Sequence, residues 1–154
     1  MPVMTKADLC RLIPHGGAMC LLDTVEQWDD NQILCRSGSH RDLSNPLRQG
    51  NRLEALCGLE YAAQAMAVHV GLLEERGRKQ AIAVGYLGAV KNLTLRAGRL
   101  ADVKEDLTVQ ATRLVGQGSS FIYTFRVSAG PQGIVSHPRM PRAGVPSTLP
   151  ETSR

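Results

Sequence analysis

Between Leu53 and Leu73 the chain is built from Leu, Ala, Gly, Met and Val almost throughout, with Glu54, Glu60, Gln64 and His69 as its clearly polar residues and no proline. A run of about 20 residues of that kind is a helix apolar nearly all round, and such a helix has to be buried on most of its sides. The rest of the fold must therefore wrap it. Glu74-Glu75-Arg76-Gly77-Arg78 ends it with charges and a glycine stop.

The flanking residues supply the wrapping. Thr5-Lys6-Ala7-Asp8 ahead of Leu9, Leu12 and Ile13 predicts a short capped helix, stopped by Pro14 and Gly16-Gly17. Met19 to Trp28 and Gln32 to Ser39 are extended runs separated by Asp29-Asp30-Asn31, which is a hairpin signal, and His40 to Asn51 is a polar, broken loop. After the long helix, Ala81 to Leu95 reads as a strand or strand pair, with Gly85 and Gly88 as bulge positions. Leu107 to Val115 and Ser120 to Val127 alternate around Gly116-Gln117-Gly118. In the second run Phe121, Tyr123 and Phe125 share one face, as core or as a sheet surface between subunits. An initial hairpin, one helix and then antiparallel strands imply an α+β architecture, a curved sheet wrapped around one central helix.

At 154 residues the chain is one domain in size. That domain is placed at residues 1–130; from Pro131 to residue 154 the chain holds five of its eight prolines, shows no convincing strand beyond Ile134-Val135 and reads as a poorly packed tail. Three Arg against one Glu put half of the formal charge of +4 in that tail, so the body is nearly balanced. Its six aromatic residues are too scattered for a base-stacking platform, and no nucleic-acid partner is expected. With 43% apolar and 21% charged residues the composition is that of a soluble globular chain, so no membrane span is expected.

Met1 to Asp8 carries an acid early and lacks an apolar core, which makes the cytoplasm the expected location. Cys10, Cys20, Cys35 and Cys57 form no CxxC pair and have no His at ligand spacing. Reduced, mostly buried thiols are expected, without a disulfide or a metal site. No cofactor is expected, because a strand rather than a helix follows the glycines of Gly85-Tyr86-Leu87-Gly88. Arg48, Arg52, Lys91, Arg96 and Arg99 form either a rim for an anionic carrier or a solvated surface.

Glu60 is the residue the pattern singles out. At 100° per residue it shares a stripe with Leu53, Leu56, Ala63, Ala67 and Gly71, in the most apolar part of the helix. A buried carboxylate must pair, accept hydrogen bonds or take a raised pKa, and the last suits a general acid or base. Gln64, one turn on, can fix its rotamer. A purely structural Glu60 satisfied by Gln64 fits the pattern equally well. His69 lies on the opposite side of the helix from Glu60, as a surface or interface residue.

Leu12-Ile13-Pro14-His15-Gly16-Gly17-Ala18-Met19-Cys20-Leu21-Leu22-Asp23-Thr24-Val25 resembles the opening of the 3-hydroxyacyl-[acyl-carrier-protein] dehydratases. Leu59-Glu60-Tyr61-Ala62-Ala63-Gln64-Ala65-Met66-Ala67 resembles their central helix, and Tyr86-Leu87-Gly88-Ala89-Val90-Lys91 the strand after it. Among such proteins the chain is similar to the dehydratase-like proteins of aryl-polyene-type lipid pathways. The resemblance implies the hotdog fold, an acyl carrier protein or coenzyme A thioester as partner, and a homodimer or a heterodimer with a related subunit. In active members a loop His removes the α-proton, the partner subunit's helix acid handles the departing hydroxyl, and amides at the helix start polarise the thioester carbonyl.

By that resemblance Glu60 is the acid, Gln64 its companion, and Ala55, Leu56 and Gly88 bind substrate. Where the His is expected, this chain has Ser44-Asn45-Pro46-Leu47, and Glu54-Ala55 replaces the usual Pro-Gly. Loss of a general base costs on the order of 10²- to 10⁴-fold in rate. Three functions are compatible with this: a dehydratase-like protein, a thioesterase in which Glu60 activates a water placed by Asn45, or a non-catalytic subunit of a hotdog heterodimer.

Overall fold

The computed structural model describes residues 3–13, 19–50, 52–77, 94–95, 99–117, 120–129 and 132–136. Asp29 makes the first hairpin. Its Oδ1 accepts from the backbone N–H of Asn31 at 2.7 Å and of Gln32 at 3.0 Å, closing the turn between β1 (Thr24–Trp28) and β2 (Gln32–Ser37). The Asn31 bond holds the Asp29 carboxyl below the usual carboxylate range. Residues 19–23, expected to be part of that strand, precede it.

β2 pairs with β4 (Leu107–Gln117), and β4 with β5 (Ser120–Ala129), in registers that stack one apolar face. Ile33, Ala111 and Phe125 form one row, and Val25, Cys35, Val109 and Val127 the next. All of these are buried, the in-out alternation of a sheet with a single covered face. With β3 (Thr94–Leu95) and β6 (Gln132–Ser136) the sheet has six strands among the described residues, antiparallel throughout, in the order β1-β2-β4-β5-β6-β3. β6 joins β5 to β3, so a domain boundary at residue 130 falls one strand short. The strand reading of Ala81 to Leu93 and the tail beyond Ser136 lie outside the described residues.

The central helix, α2 (Gly58–Glu75), packs on β2, β4, β5 and β6. Its buried face is Tyr61, Ala62, Ala65, Val68, His69, Leu72 and Leu73. It begins later than its composition predicts. Leu53 is buried, but its carbonyl accepts from Leu100 N at 2.7 Å, which removes it from any helical ladder, and the chain enters α2 through a 3₁₀ turn at Ala55–Cys57. The helix stops at Gly77, whose φ of 73° is the left-handed conformation that favours glycine. Contrary to expectation, Ala55–Glu75 is long and apolar enough to cross a membrane, with a mean hydropathy of 1.3. Half of it is buried against the rest of the chain, as a core helix is.

The first helix, α1 (Lys6–Cys10), buries Leu9. Thr5 does not cap it through the backbone; its hydroxyl donates to Asp8 Oδ2 at 3.1 Å. Leu12, just beyond, lies against Gly71 of α2 so closely that a Cβ there would meet Leu12 Cδ2 at 3.1 Å.

The expectation of four reduced thiols fails. Cys10 and Cys20 form a disulfide with Cα atoms 5.7 Å apart, and only Cys35 and Cys57 are unpaired. The fold brings the end of α1 beside residues 19–23, a proximity that a separation of 10 residues does not reveal.

Candidate functional site

Glu60 sits in the first turn of α2, where helical N–H groups point outward. Its stripe is the more open side of the helix. Glu60, Ala63, Ala67 and Gly71 are half-buried and Leu56 is 51% exposed, whereas the sheet covers the opposite face. The buried carboxylate expected from the pattern is thus a half-open one. Composition implies burial all round, but the sheet covers only one side of the helix.

Gln64 holds it. The Gln64 side chain is 3% exposed and its amide is fully engaged: Oε1 accepts from Leu21 N at 2.8 Å, and Nε2 donates to Met19 O at 2.6 Å and to Glu60 Oε1 at 3.3 Å. The helical spacing of four that predicts this contact delivers it. The two backbone bonds, which tie the amide to the segment before β1, have no signal in the spacing.

Asn45 is occupied differently. It is buried; both amide hydrogens go to protein acceptors, Ser39 O at 2.9 Å and Tyr61 Oη at 3.0 Å, and Oδ1 accepts from Leu47 N at 2.9 Å. Tyr61 Oη also bonds Ser39 Oγ at 2.8 Å, and the Ser37 and Ser39 hydroxyls both donate to Leu21 O, at 2.5 and 2.7 Å. Burial raises the Tyr61 pKa, although these hydrogen bonds oppose the shift. Asn45 therefore serves to lock its loop onto the helix. Among the described residues no hydrogen bond joins it to Glu60; the two belong to separate clusters that meet at Leu21.

Ala55 is buried, so its side chain faces the core, and Leu56 is the exposed residue at the helix entry. Gly88 lies outside the described residues, as do Lys91 and Arg96. Arg48 bonds the carbonyls of Asp42 and His40, both at 3.2 Å, and Arg52 pairs with Glu54 at 3.0 Å, so local pairing uses these two cations of the expected rim. A cleft of about 440 Å³ borders Lys6, Cys20, Asp23, Ser39, Arg41 and Asn45. Both of its cations are paired: Lys6 with Asp23 at 3.2 Å and Arg41 with Asp106.

The two histidines among the described residues, His40 and His69, take no part. His40 is buried with Nε2 donating to Val103 O at 2.9 Å. His69 is fully buried rather than on the surface, because strands remote in sequence close over it. Its Nε2 donates to Asp29 O at 2.7 Å, and its Nδ1 therefore accepts from the Tyr123 hydroxyl at 2.6 Å. Burial pushes the Cys57 thiol pKa upward, the opposite of activation. Among the described residues no three His, Cys, Asp or Glu gather as metal ligands.

The profile of the ApeP-like family, described as ApeP dehydratase, matches residues 7–137. Among solved structures, the dehydratase heterocomplex ApeI:P from Xenorhabdus doucetiae aligns with a TM-score of 0.73, over 88% of this chain and 86% of that one, at 21% identity. At that identity the likeness speaks for the fold, an α+β hotdog. Comparison with curated proteins finds no match.

Proposed function

The chain belongs to the ApeP-like dehydratase family, and on that premise we propose that it is one subunit of a hotdog heterodimer that dehydrates 3-hydroxyacyl thioesters. It contributes Glu60 as the acid to a site whose base comes from the partner. The observation that carries this reading is the contrast between Glu60, half-open with one oxygen oriented by a saturated Gln64, and Asn45, buried with both amide hydrogens and Oδ1 engaged. An oriented carboxyl group at a helix entry can, in its acid form, protonate a departing hydroxyl, whereas an amide without a basic atom cannot remove an α-proton. A partner subunit that carries a loop His completes one site with this chain's Glu60.

The same contrast weakens the thioesterase reading, which needs Asn45 to place a water. The substrate is an acyl thioester on an acyl carrier protein or coenzyme A, in fatty-acid or polyene synthesis. The half-open stripe of α2 and the exposed Leu56 and Leu43, at 51% and 79%, are apolar surface suited to a second subunit and an acyl chain. A cytoplasmic location belongs to the same proposal, and the Cys10–Cys20 bond is the feature it has to accommodate.

The test is product analysis with a 3-hydroxyacyl-carrier substrate, for the chain alone and with a His-bearing hotdog partner. Enoyl product is expected only from the pair. Free thiol without enoyl product would overturn the reading in favour of hydrolysis.

A further inference from the structure

Both polar clusters hang on residues 19–23. Gln64 grips this segment at Met19 O and Leu21 N; Ser37 and Ser39 grip it at Leu21 O. Lys6 of α1 adds bonds to Cys20 O at 3.0 Å and Leu22 O at 2.9 Å. The covalent hold on the segment is the Cys10–Cys20 disulfide. Its two ends differ: Cys10 is half-buried at the end of α1, whereas Cys20 is 4% exposed.

We propose that this disulfide is a redox-sensitive clasp that sets the grip of residues 19–23 on Gln64, and through Gln64 the orientation of Glu60. A single bridge beside two unpaired thiols is the pattern of a redox-responsive bond more than of a disulfide framework. The reductant is a dithiol. One of its thiolates attacks Cys10 Sγ, on the less buried of the two residues; the S–S bond breaks and Cys20 leaves as a thiolate that takes up a proton. The second thiolate of the reductant then displaces Cys10 Sγ, which is protonated in turn, and the reductant departs as a disulfide. Two electrons and two protons have passed to the protein. Cys20 Sγ lies 3.8 Å from Leu22 O, an acceptor in place for the new S–H.

The consequence reaches Gln64 because its Nε2 serves Met19 O and Glu60 Oε1 together. A buried amide follows its partners, so when the segment loosens the amide turns and the bond to Glu60 is lost. The fold is expected to survive reduction, because the Lys6–Asp23 pair, the burial of Leu9 and the packing of Leu12 on Gly71 do not pass through the bridge. The clasp stands on the geometry alone; its effect on turnover rests on the role proposed for Glu60.

The experiment is amide hydrogen exchange at Leu21, the donor to Gln64 Oε1, in the full chain with and without dithiothreitol, with intact mass reporting the state of the bridge. Reduction is expected to speed Leu21 exchange by on the order of tenfold, and Cys10→Ser with Cys20→Ser is expected to show the fast rate without reductant. Unchanged Leu21 exchange after reduction confirmed by mass overturns the clasp, as do four free thiols in the protein before reductant is added. Faster exchange with unchanged turnover of the assembled complex overturns the link to Glu60 and leaves the clasp.

Discussion

The two ends of helix α2 carry polar side chains in similar numbers and use them in opposite ways. At the C-terminal end His69 is closed in: Nε2 is spent on Asp29 O, Nδ1 on the Tyr123 hydroxyl, and Trp28 and Tyr123 meet its ring edge-on at 6.3 and 5.7 Å between centroids. Arg76 covers the outer side of Trp28, 4.1 Å from the ring centroid. At the N-terminal end Glu60 has one oxygen on Gln64 and remains half-open. A group whose every atom is satisfied inside the core builds the fold, and one that is oriented but still reachable can exchange a proton with a substrate. A titratable residue in the core helix is therefore a weak sign of chemistry until its partners are counted.

Substitutions separate the two ends. The largest stability effect is expected from His69→Ala, which leaves a cavity and strips the Asp29 carbonyl and the Tyr123 hydroxyl of a shared partner. A loss of about 2–4 kcal/mol in chemical denaturation is expected, with turnover per folded molecule unchanged. A loss of turnover in the folded variant would erase the difference between the two ends. Tyr61→Phe removes one hydroxyl from the Asn45 cluster and should cost about 1–2 kcal/mol, measured as a lower urea midpoint.

The pH dependence is next. Burial holds His69 and His40 below the ordinary histidine value of 6.5, with the carbonyls of Asp29 and Val103 partly opposing the shift. As pH falls, the unfolded chain takes up these protons before the folded one does. The stability they confer is complete above pH 6.5 and is lost as the pH drops below it. Melting temperature should decline over that range, and His69→Phe should flatten the decline. Smallest is Arg76→Ala, which removes the cation from Trp28 and should lower stability by about 0.5–1 kcal/mol in the same denaturation.

Short-range chemistry decides the features that are legible in the sequence. Asp29 makes its turn with Asn31 and Gln32, neighbours along the chain, and the alternation of β4 and β5 survives because one face of the sheet is covered. The Gln64–Glu60 contact is a property of helical spacing. The illegible features all depend on partners remote along the chain. Leu53 leaves the helix because Leu100 takes its carbonyl, and His69 is interior because Asp29 reaches it from the β1–β2 turn and Tyr123 from β5. Cys10 finds Cys20 only once α1 has docked. Ile134-Val135 is a short strand signal in a proline-rich stretch, and pairing with β5 extends it to β6. In the site, Asn45 is buried in the loop ahead of α2. Its neutral, saturated state has no sequence signal, because Tyr61 and Ser39 meet it only in the folded chain.

The most direct measurement is the turnover of the assembled complex with Glu60→Gln in this chain, using a 3-hydroxyacyl-carrier substrate and following enoyl product. Glutamine keeps the shape and the contact with Gln64 but has no carboxylic proton to give. Loss of turnover by on the order of 10²-fold or more, with the complex intact by size and melting temperature, is the expected result. Undiminished turnover in that variant would contradict the role assigned to Glu60.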